Sequence, residues 1–225
     1  MVMVKVAFII TVYKNDKLEY FKEAIESILN QNYGFENINI YLGIDGEISD
    51  EVSNYISKNA NFYYKIYRNA TNKGLAYTLN NLINALEDES YIFRMDSDDI
   101  SKFNRVKLQV EFMERMKEYF ILGGSIEEFR NNLEVNLVRQ YPKNTEESLK
   151  YIHKASIFAH PSVCFRSTFF KMGYRYNSNL KYSQDLDLWF RVLSKNIKVA
   201  NLSEVILSLR VTDSFYKRRS IKKAF

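Results

Sequence analysis

The sequence predicts an α/β fold, in which helices cover both faces of a mostly parallel central sheet. Over the first 100 residues, apolar runs rich in β-branched residues alternate with stretches whose apolar residues recur every three or four positions. This alternation is typical of a parallel sheet. The fourth apolar run, residues 91–95, leads directly into Asp96, Asp98 and Asp99. Because open α/β sheets bind ligands at the carboxyl ends of their strands, we predict the functional site there.

Each element of the first half follows from its local pattern. Residues 5–13 form a nearly continuous apolar run, as expected of a strand that is covered on both faces. In residues 17–30 the apolar side chains recur at helical spacing, so we expect a helix that packs one stripe onto the sheet. The same two patterns predict further strands at 38–44, 62–67 and 91–95, and further helices at 51–58 and 75–86.

The regular alternation lapses in the second half. After a helix at 102–116, the residues from 119 to 138 are predicted to form strands, with turns at Gly123-Gly124 and Asn131-Asn132. The remaining patterns predict a short helix at 145–153, a helix at 182–193 and a late strand at 205–211. The helix at 182–193 is expected to turn four apolar side chains toward the core: Leu186, Trp189, Phe190 and Leu193.

Composition and motifs exclude several classes of protein. Hydrophobic residues make up 46% of the chain and charged residues 26%, which argues against disorder. One cysteine, Cys164, excludes an intramolecular disulfide and a cysteine-built zinc site. The apolar run at 2–12 is broken by Lys5 and is too short to span a bilayer, so neither a signal peptide nor a membrane span is predicted. Without a Gly-x-Gly-x-x-Gly or a Gly-Lys-Ser/Thr loop, neither a dinucleotide-binding dehydrogenase nor a P-loop enzyme is expected.

Asp96, Asp98 and Asp99 form what we call the acidic cluster. Carboxylates this close repel one another unless a positive charge lies among them, and Mg²⁺ or Mn²⁺ prefers such oxygen ligands. An alternative interpretation is that Asp98 or Asp99 caps the helix that begins near Lys102. The spacing alone leaves both interpretations open.

A series of motifs gives the chain a resemblance to a known family. In order, they are Thr11-Val12-Tyr13, residues 27–31, Asp45, residues 72–76 with Leu79-Asn80, the acidic cluster, residues 160–163 and residues 185–191. The ordered set resembles family 2 glycosyltransferases of the GT-A fold, especially bacterial members that build capsule, exopolysaccharide and lipopolysaccharide glycans. The resemblance covers nearly the whole chain. It implies one GT-A domain over 1–225, with a nucleotide-sugar-binding half at 1–100 and an acceptor-side half at 101–225.

The resemblance implies a donor site made of residues from the first half. The nucleotide sugar would be bound by Thr11, Tyr13, Asp45, Asn72, Lys73, Gly74 and Asp96. In this family, the residues matching Thr11 and Tyr13 cradle the base, and the acid matching Asp45 bonds the base or ribose. The residues matching 72–74 lie along the nucleotide, and the first Asp of the cluster faces the ribose.

The same resemblance implies the catalytic roles. Asp98 would hold a divalent cation, Mn²⁺ or Mg²⁺, and Asp185 would be the base that takes the proton from the acceptor hydroxyl, so that the anomeric configuration is inverted. His160 and Gln184 would contact the acceptor or a phosphate, and Arg191 is expected to pair with Asp187.

The chain departs from the family pattern at two positions. The family usually carries Glu where Gln184 stands, and many relatives carry His where Thr212 stands, near the metal or diphosphate. We therefore expect weak metal binding through Asp98, waters and phosphates.

The predicted function is that of an inverting glycosyltransferase, which moves a sugar from a nucleotide-diphosphate sugar, UDP being expected, to a hydroxyl of a glycan or lipid-linked acceptor in surface polysaccharide biosynthesis. A nucleotidyltransferase would need a Gly-rich basic loop after the first strand, which residues 13–16 lack. A non-catalytic nucleotide-sugar-binding or assembly subunit stays open, because Gln184 and Thr212 depart from the family pattern.

The expected partners are a nucleotide-sugar donor and a glycan or lipid-linked acceptor, with no nucleic acid. Five of the last nine residues are basic: Lys217, Arg218, Arg219, Lys222 and Lys223. This basic tail fits an anionic membrane surface or a phosphate-bearing ligand, and it also fits a plain solvated end, so these interpretations stay open. We expect a cytoplasmic protein that touches the inner face of the cell membrane.

Overall fold

The computed structural model describes residues 3–130 and 135–211. One nine-stranded sheet runs through these ranges in the order β3-β2-β1-β4-β8-β6-β9-β5, with β7 paired to β6. The strands are β1 (Val6–Val12), β2 (Ile38–Asp45), β3 (Lys65–Asn69), β4 (Tyr91–Met95), β5 (Ile100–Ser101), β6 (Tyr119–Phe129), β7 (Val135–Arg139), β8 (Cys164–Arg166) and β9 (Lys198–Arg210). The helices in these ranges are α1 (Leu18–Leu29), α2 (Asp50–Lys58), α3 (Leu75–Asn84), α4 (Arg105–Arg115), α5 (Thr145–Tyr151), α6 (Ser167–Lys171) and α7 (Gln184–Ser194).

The α/β prediction with a mostly parallel central sheet is confirmed. Strands β1 to β4 are parallel throughout, and β6 pairs with β9 in parallel, whereas the shorter β5, β7 and β8 are antiparallel to their neighbours. From β1 the chain moves outward to β2 and β3 and then returns to the other side of β1 as β4. The strand order therefore reverses between β1 and β4, and such a switch point opens a crevice at the carboxyl ends.

The core consists of two apolar layers, one on each face of the sheet. Helices α1, α2 and α4 cover the face that carries Phe8 and Phe93, whose rings stack at 5.0 Å. Helices α3, α6 and α7 cover the other face, where Trp189 meets Phe158 edge to face at 4.9 Å. None of the helices in the described ranges combines the length and the apolarity needed to cross a bilayer.

The predicted turn at Gly123-Gly124 is wrong, because both glycines lie inside β6. A Cβ atom on Gly123 would stand 2.2 Å from Asn201 Oδ1 and 2.6 Å from Phe158 Cδ1. The missing side chain therefore serves close packing inside a strand. The other predicted turn, Asn131-Asn132, lies outside the described residues.

The predicted inward face of α7 is wrong in one residue. Phe190 is 43% exposed, while Trp189 and Leu193 are buried and Leu186 packs partly buried against the core. Leu188 and Val192 are also buried. The helix is thus turned so that the face containing Leu188 and Val192 meets the sheet.

Candidate functional site

At the end of β2, Asp45 organises the loop at residues 72–74. Its side chain is 5% exposed and accepts hydrogen bonds from the backbone N–H groups of Lys73 (2.7 Å) and Gly74 (2.9 Å) and from Asn69 Nδ2 (2.8 Å). Gly74 has φ +92°, a conformation that favours glycine, and α3 begins directly after it. A carboxylate has about four acceptor positions, so the loop leaves Asp45 roughly one for a ligand.

At the end of β1, the candidate residues Thr11 and Tyr13 are partly exposed. Thr11 lies in register with Gly43 of β2, and the backbone N–H of Tyr13 donates to Asp16 Oδ2 at 3.0 Å. Asp16 also accepts from Ser97 Oγ at 2.9 Å, which joins the end of β1 to the acidic cluster. Burial, together with the charges of the cluster, raises the pKa of Asp16 to about 7. Sequence reasoning missed Asp16, which the polar turn at 14–16 conceals.

The acidic cluster brings together enough carboxylate oxygens to be a candidate cation site. One carboxylate oxygen from each of Asp96, Asp98 and Asp99 lies within 4.8 Å of the others, and three hard oxygen donors fit Mg²⁺ or Mn²⁺. Asp96 and Asp98 are partly exposed, whereas Asp99 is buried. Burial and the charges of Asp98 and Asp96 raise the pKa of Asp99. The helix-cap interpretation is wrong: α4 begins after Asn104, and Asp99 Oδ1 accepts from the backbone N–H of Arg210 at 2.9 Å.

A buried arginine lies directly beneath Asp96. The side chain of Arg94, on β4, is 2% exposed and forms an ion pair with the Asp96 carboxylate through Nη2. Among the residues that the structure describes, no hydrogen-bond partner is found for its Nε or Nη1. Sequence reasoning missed Arg94, although a charge inside an otherwise apolar strand was a usable signal.

Arg210, at the end of β9, is bonded to two members of the acidic cluster, Asp98 and Asp99. Its Nε donates to the backbone carbonyl of Asp98 at 2.9 Å, and its guanidinium pairs with Glu23 on α1. The guanidinium carbon lies 4.0 Å from the ring centre of Tyr20 and 4.5 Å from that of Phe129. Arg94 offsets part of the negative charge of the cluster, and Arg210 holds its backbone in place. No local pattern in the sequence links Arg210 to residues more than a hundred positions earlier.

His160, which is partly exposed, and the buried Tyr176 form a hydrogen-bonded pair on the same face of the sheet as Arg94. His160 Nε2 lies 2.8 Å from the Tyr176 hydroxyl oxygen, and the two rings meet edge to face. Burial and the charge of Arg94 lower the pKa of His160, which keeps the imidazole neutral. Burial raises the pKa of Tyr176, and the charges of Asp185 and Asp96 add to that rise. The charge of Arg94 acts in the opposite direction.

Helix α7 places Asp185 in its first turn, partly exposed. Its neighbour Gln184 donates through Nε2 to the backbone carbonyls of Leu180 (3.0 Å) and Lys181 (2.9 Å), so its amide nitrogen holds the preceding loop. The expected pair between Asp187 and Arg191 is confirmed, with Nη2 2.8 Å from Oδ2. Thr212 and the basic tail (Lys217, Arg218, Arg219, Lys222 and Lys223) lie outside the described residues.

Comparisons with known proteins give a family and several relatives. The model of the family described as glycosyl transferase family 2 matches residues 7–179. The O-antigen biosynthesis glycosyltransferase WbnJ of Escherichia coli is 32% identical over 92% of this chain and 79% of its own length. The amylovoran biosynthesis glycosyltransferase AmsE of Erwinia amylovora is 28% identical over 94% and 78%. The UDP-Gal:alpha-D-GlcNAc-diphosphoundecaprenol beta-1,3-galactosyltransferase of Escherichia coli is 26% identical over 96% and 77%.

Solved structures show the same fold at lower identity. S. aureus TarS 1-349 in complex with UDP-GlcNAc has a TM-score of 0.75 and 16% identity, and the match covers 93% of this chain and 59% of that one. The mannosyltransferase PcManGT from Pyrobaculum calidifontis, in complex with GDP-Man and Mn²⁺, has a TM-score of 0.71 and 12% identity over 98% and 61%. The chain thus spans about three fifths of these two structures. Both likenesses support the GT-A fold.

Proposed function

The chain belongs to glycosyltransferase family 2, and from that premise we propose that it transfers a sugar from a nucleotide-diphosphate sugar to a hydroxyl of a glycan or lipid-linked acceptor in surface polysaccharide biosynthesis, with inversion at the anomeric carbon. The observation that carries the proposal is the family match over residues 7–179, combined with the acidic cluster at the carboxyl end of β4. UDP is the proposed carrier, which the UDP-GlcNAc complex of TarS and the UDP-Gal relative support.

In the proposed donor site, the 72–74 loop lies along the nucleotide and Asp45 acts chiefly by shaping that loop. Two of the hydrogen bonds to its carboxylate come from backbone N–H groups of the loop itself. Thr11 and Tyr13 would line the base at the end of β1. Asp96, oriented by its ion pair with Arg94, would face the ribose.

The proposed cation ligand is Asp98, with Asp96 and Asp99 beside it. A bound Mn²⁺ or Mg²⁺ would supply charge compensation for the departing nucleoside diphosphate. The Mn²⁺ complex of PcManGT supports a divalent cation in this fold. Asp99, which is anchored by the Arg210 backbone, would hold the cluster in shape.

On the acceptor side, Asp185 is the proposed general base. It would accept the proton from the acceptor hydroxyl as that oxygen attacks the anomeric carbon, while the nucleoside diphosphate leaves on the opposite side. His160, with Nε2 bonded to Tyr176, would line the acceptor site as a neutral ring. Gln184 would support the loop that precedes Asp185.

A peripheral membrane contact through the basic tail remains a proposal. Each basic residue close to an anionic surface contributes about 1 kcal/mol of attraction, which salt screens. Sedimentation with anionic vesicles is expected to recover the protein in the pellet at low salt and in the supernatant at high salt. Recovery in the supernatant at both salt concentrations would contradict the proposal.

Calorimetry with a panel of nucleotide sugars tests the proposed function. At least one UDP-sugar is expected to bind at least tenfold more tightly with Mn²⁺ than with a chelator, and Asp98→Ala should remove that difference. Asp88→Ala, at an exposed carboxylate before β4, is the matched control and should bind as the parent does. If no nucleotide sugar binds under either condition, the proposed function is wrong. Equal binding with metal and chelator would contradict only the role of Asp98.

A further inference from the structure

The side chain of Asn80 joins two parts of the chain that carry different halves of the candidate site. From the middle of α3, its Nδ2 donates to the backbone carbonyl of Tyr176 at 2.8 Å, and its Oδ1 accepts from the backbone N–H of Tyr176 at 3.0 Å. This two-point contact fixes orientation as well as distance. A carboxamide fits it because it offers one donor side and one acceptor side.

At its first turn, α3 is continuous with the donor side. Gly74 precedes the helix directly, and Asp45 holds the backbone N–H of Gly74. Asn80 lies six residues after Gly74, about 9 Å along a helix that rises 1.5 Å per residue. A shift of α3 relative to Tyr176 is therefore a shift of the 72–74 loop.

Tyr176 is connected to the acceptor side by hydrogen bonds of its own and of its neighbour. It is 3% exposed, and its hydroxyl bonds to His160 Nε2. The carbonyl of the preceding residue, Arg175, accepts from Arg191 Nη2 at 2.8 Å, and Arg191 pairs with Asp187. The segment around Tyr176 thus contacts both the His160 ring and α7, the helix that begins with the proposed base.

We propose that Asn80 is a positioning residue, which sets the separation between the donor held at the 72–74 loop and the base on α7. This inference rests on the proposed function. Its physical reason is that the two hydrogen bonds between Asn80 and the Tyr176 backbone set both the distance and the angle between α3 and the segment around Tyr176. In-line displacement needs the reacting atoms at about 3 to 3.5 Å, and a misplacement of about 1 Å can lower the rate a hundredfold.

The test compares the same substitution at two positions of α3. Asn80→Asp keeps the acceptor for the Tyr176 N–H but sets a carboxylate oxygen against the Tyr176 carbonyl. Asn84→Asp is the matched control: one turn further along, Asn84 Oδ1 only accepts from Arg175 Nε at 3.0 Å, and a carboxylate accepts equally well. We expect donor affinity within threefold of the parent in both variants. Transfer by Asn80→Asp should have a kcat ten to a hundredfold lower, and a larger share of donor should be lost to water.

The outcomes separate the inference from the proposed function. If the parent neither binds nor transfers from any nucleotide sugar, the proposed function itself fails. If Asn80→Asp transfers as the parent does, or loses donor affinity and transfer by the same factor, the positioning role is wrong. If Asn80→Asp does not fold, Asn80→Ala replaces it, because it removes both hydrogen bonds without adding a charge. The same measurements of donor affinity and transfer then test the positioning role.

Discussion

The two sides of the candidate site are built by different means. On the donor side, Asp45 ends a parallel strand and Tyr13 and Asp96 each follow directly after one, so the sheet itself brings them to one edge. On the acceptor side, His160 lies in a short 3-10 turn and Asp185 at a helix start, and both are reached through irregular chain. Individual polar contacts across long stretches of sequence hold that side together. The donor geometry is therefore a property of the sheet, whereas the acceptor geometry depends on single side chains.

The largest effect on stability is expected at Asp45, the one donor-side carboxylate that holds the 72–74 loop in place. Asp45→Ala removes the acceptor for three donors, two of them backbone N–H groups. A fully buried donor left unpaired costs roughly 1 to 3 kcal/mol. Water can reach the two loop N–H groups in part, and Asn69 Nδ2 keeps Thr78 Oγ1 as an acceptor, so the unfolding free energy should fall by about 3 kcal/mol in all, the low end for three donors. Nucleotide affinity should fall at least tenfold because the 72–74 loop loosens. Urea denaturation and calorimetry measure both, with the exposed Glu47→Ala as control; an unchanged midpoint for Asp45→Ala would contradict this account.

A pair of glycine variants compares packing on the two sides. A Cβ on Gly43 would stand 2.4 Å from Thr78 Cγ2 on the donor side, and a Cβ on Gly123 would stand 2.2 Å from Asn201 Oδ1 on the acceptor side. Overpacking costs about 1 to 3 kcal/mol, and Gly123→Ala should lie at the upper end. The Asn201 amide is fixed by two bonds to backbone carbonyls and cannot move away cheaply. If the urea midpoint falls further for Gly43→Ala than for Gly123→Ala, the expected order of the two sides is wrong.

The smallest expected effect is a pH dependence at Asp16, which joins the ends of β1 and β4 on the donor side. The folded-state pKa is about 7, against 3.8 for an ordinary Asp, so the folded protein binds this proton more tightly than the unfolded chain does. The parent should therefore lose stability as the pH rises from about 4 to about 7. Asp16→Asn keeps an oxygen for both donors and does not ionise, so its stability relative to the parent should rise across that pH window. The expected rise is about 1 kcal/mol, because water screens a half-buried carboxyl. Thermal melts with chelator measure this, and a difference that does not change with pH would contradict it.

The donor side was predictable from sequence because the spacing of apolar residues and the ends of apolar runs are local signals. The apolar runs that became β1, β2 and β4 placed Asp45 and the acidic cluster at one edge before any contact was known. The turn at Gly123-Gly124 was predicted wrongly for a physical reason. Glycine indicates a turn locally, but Asn201 and Phe158, which are distant in sequence, leave no room for a side chain at position 123 of the strand.

The acceptor side was predictable only through motifs. The contact of Asn80 with Tyr176 spans 96 residues, and no spacing rule predicts such a pair. Phe190 was placed inward because α7 has apolar residues on more than one face, so its rotation is decided by packing against the sheet. Arg94 is a charge in a buried strand, and its ion pair with Asp96 accounts for that charge.

The most direct test of the central claim is the transfer rate of Asp185→Asn set beside that of Asp187→Asn. Both changes remove one carboxylate from the first turn of α7 and preserve its shape. Asparagine at 185 can still hydrogen-bond the acceptor but cannot take its proton, and general-base help contributes about 10² to 10⁴-fold. The account predicts a fall of that size for Asp185→Asn with donor affinity unchanged, and a much smaller fall for Asp187→Asn, whose carboxylate pairs with Arg191. Unchanged transfer by Asp185→Asn, with donor binding intact in both variants, would contradict it.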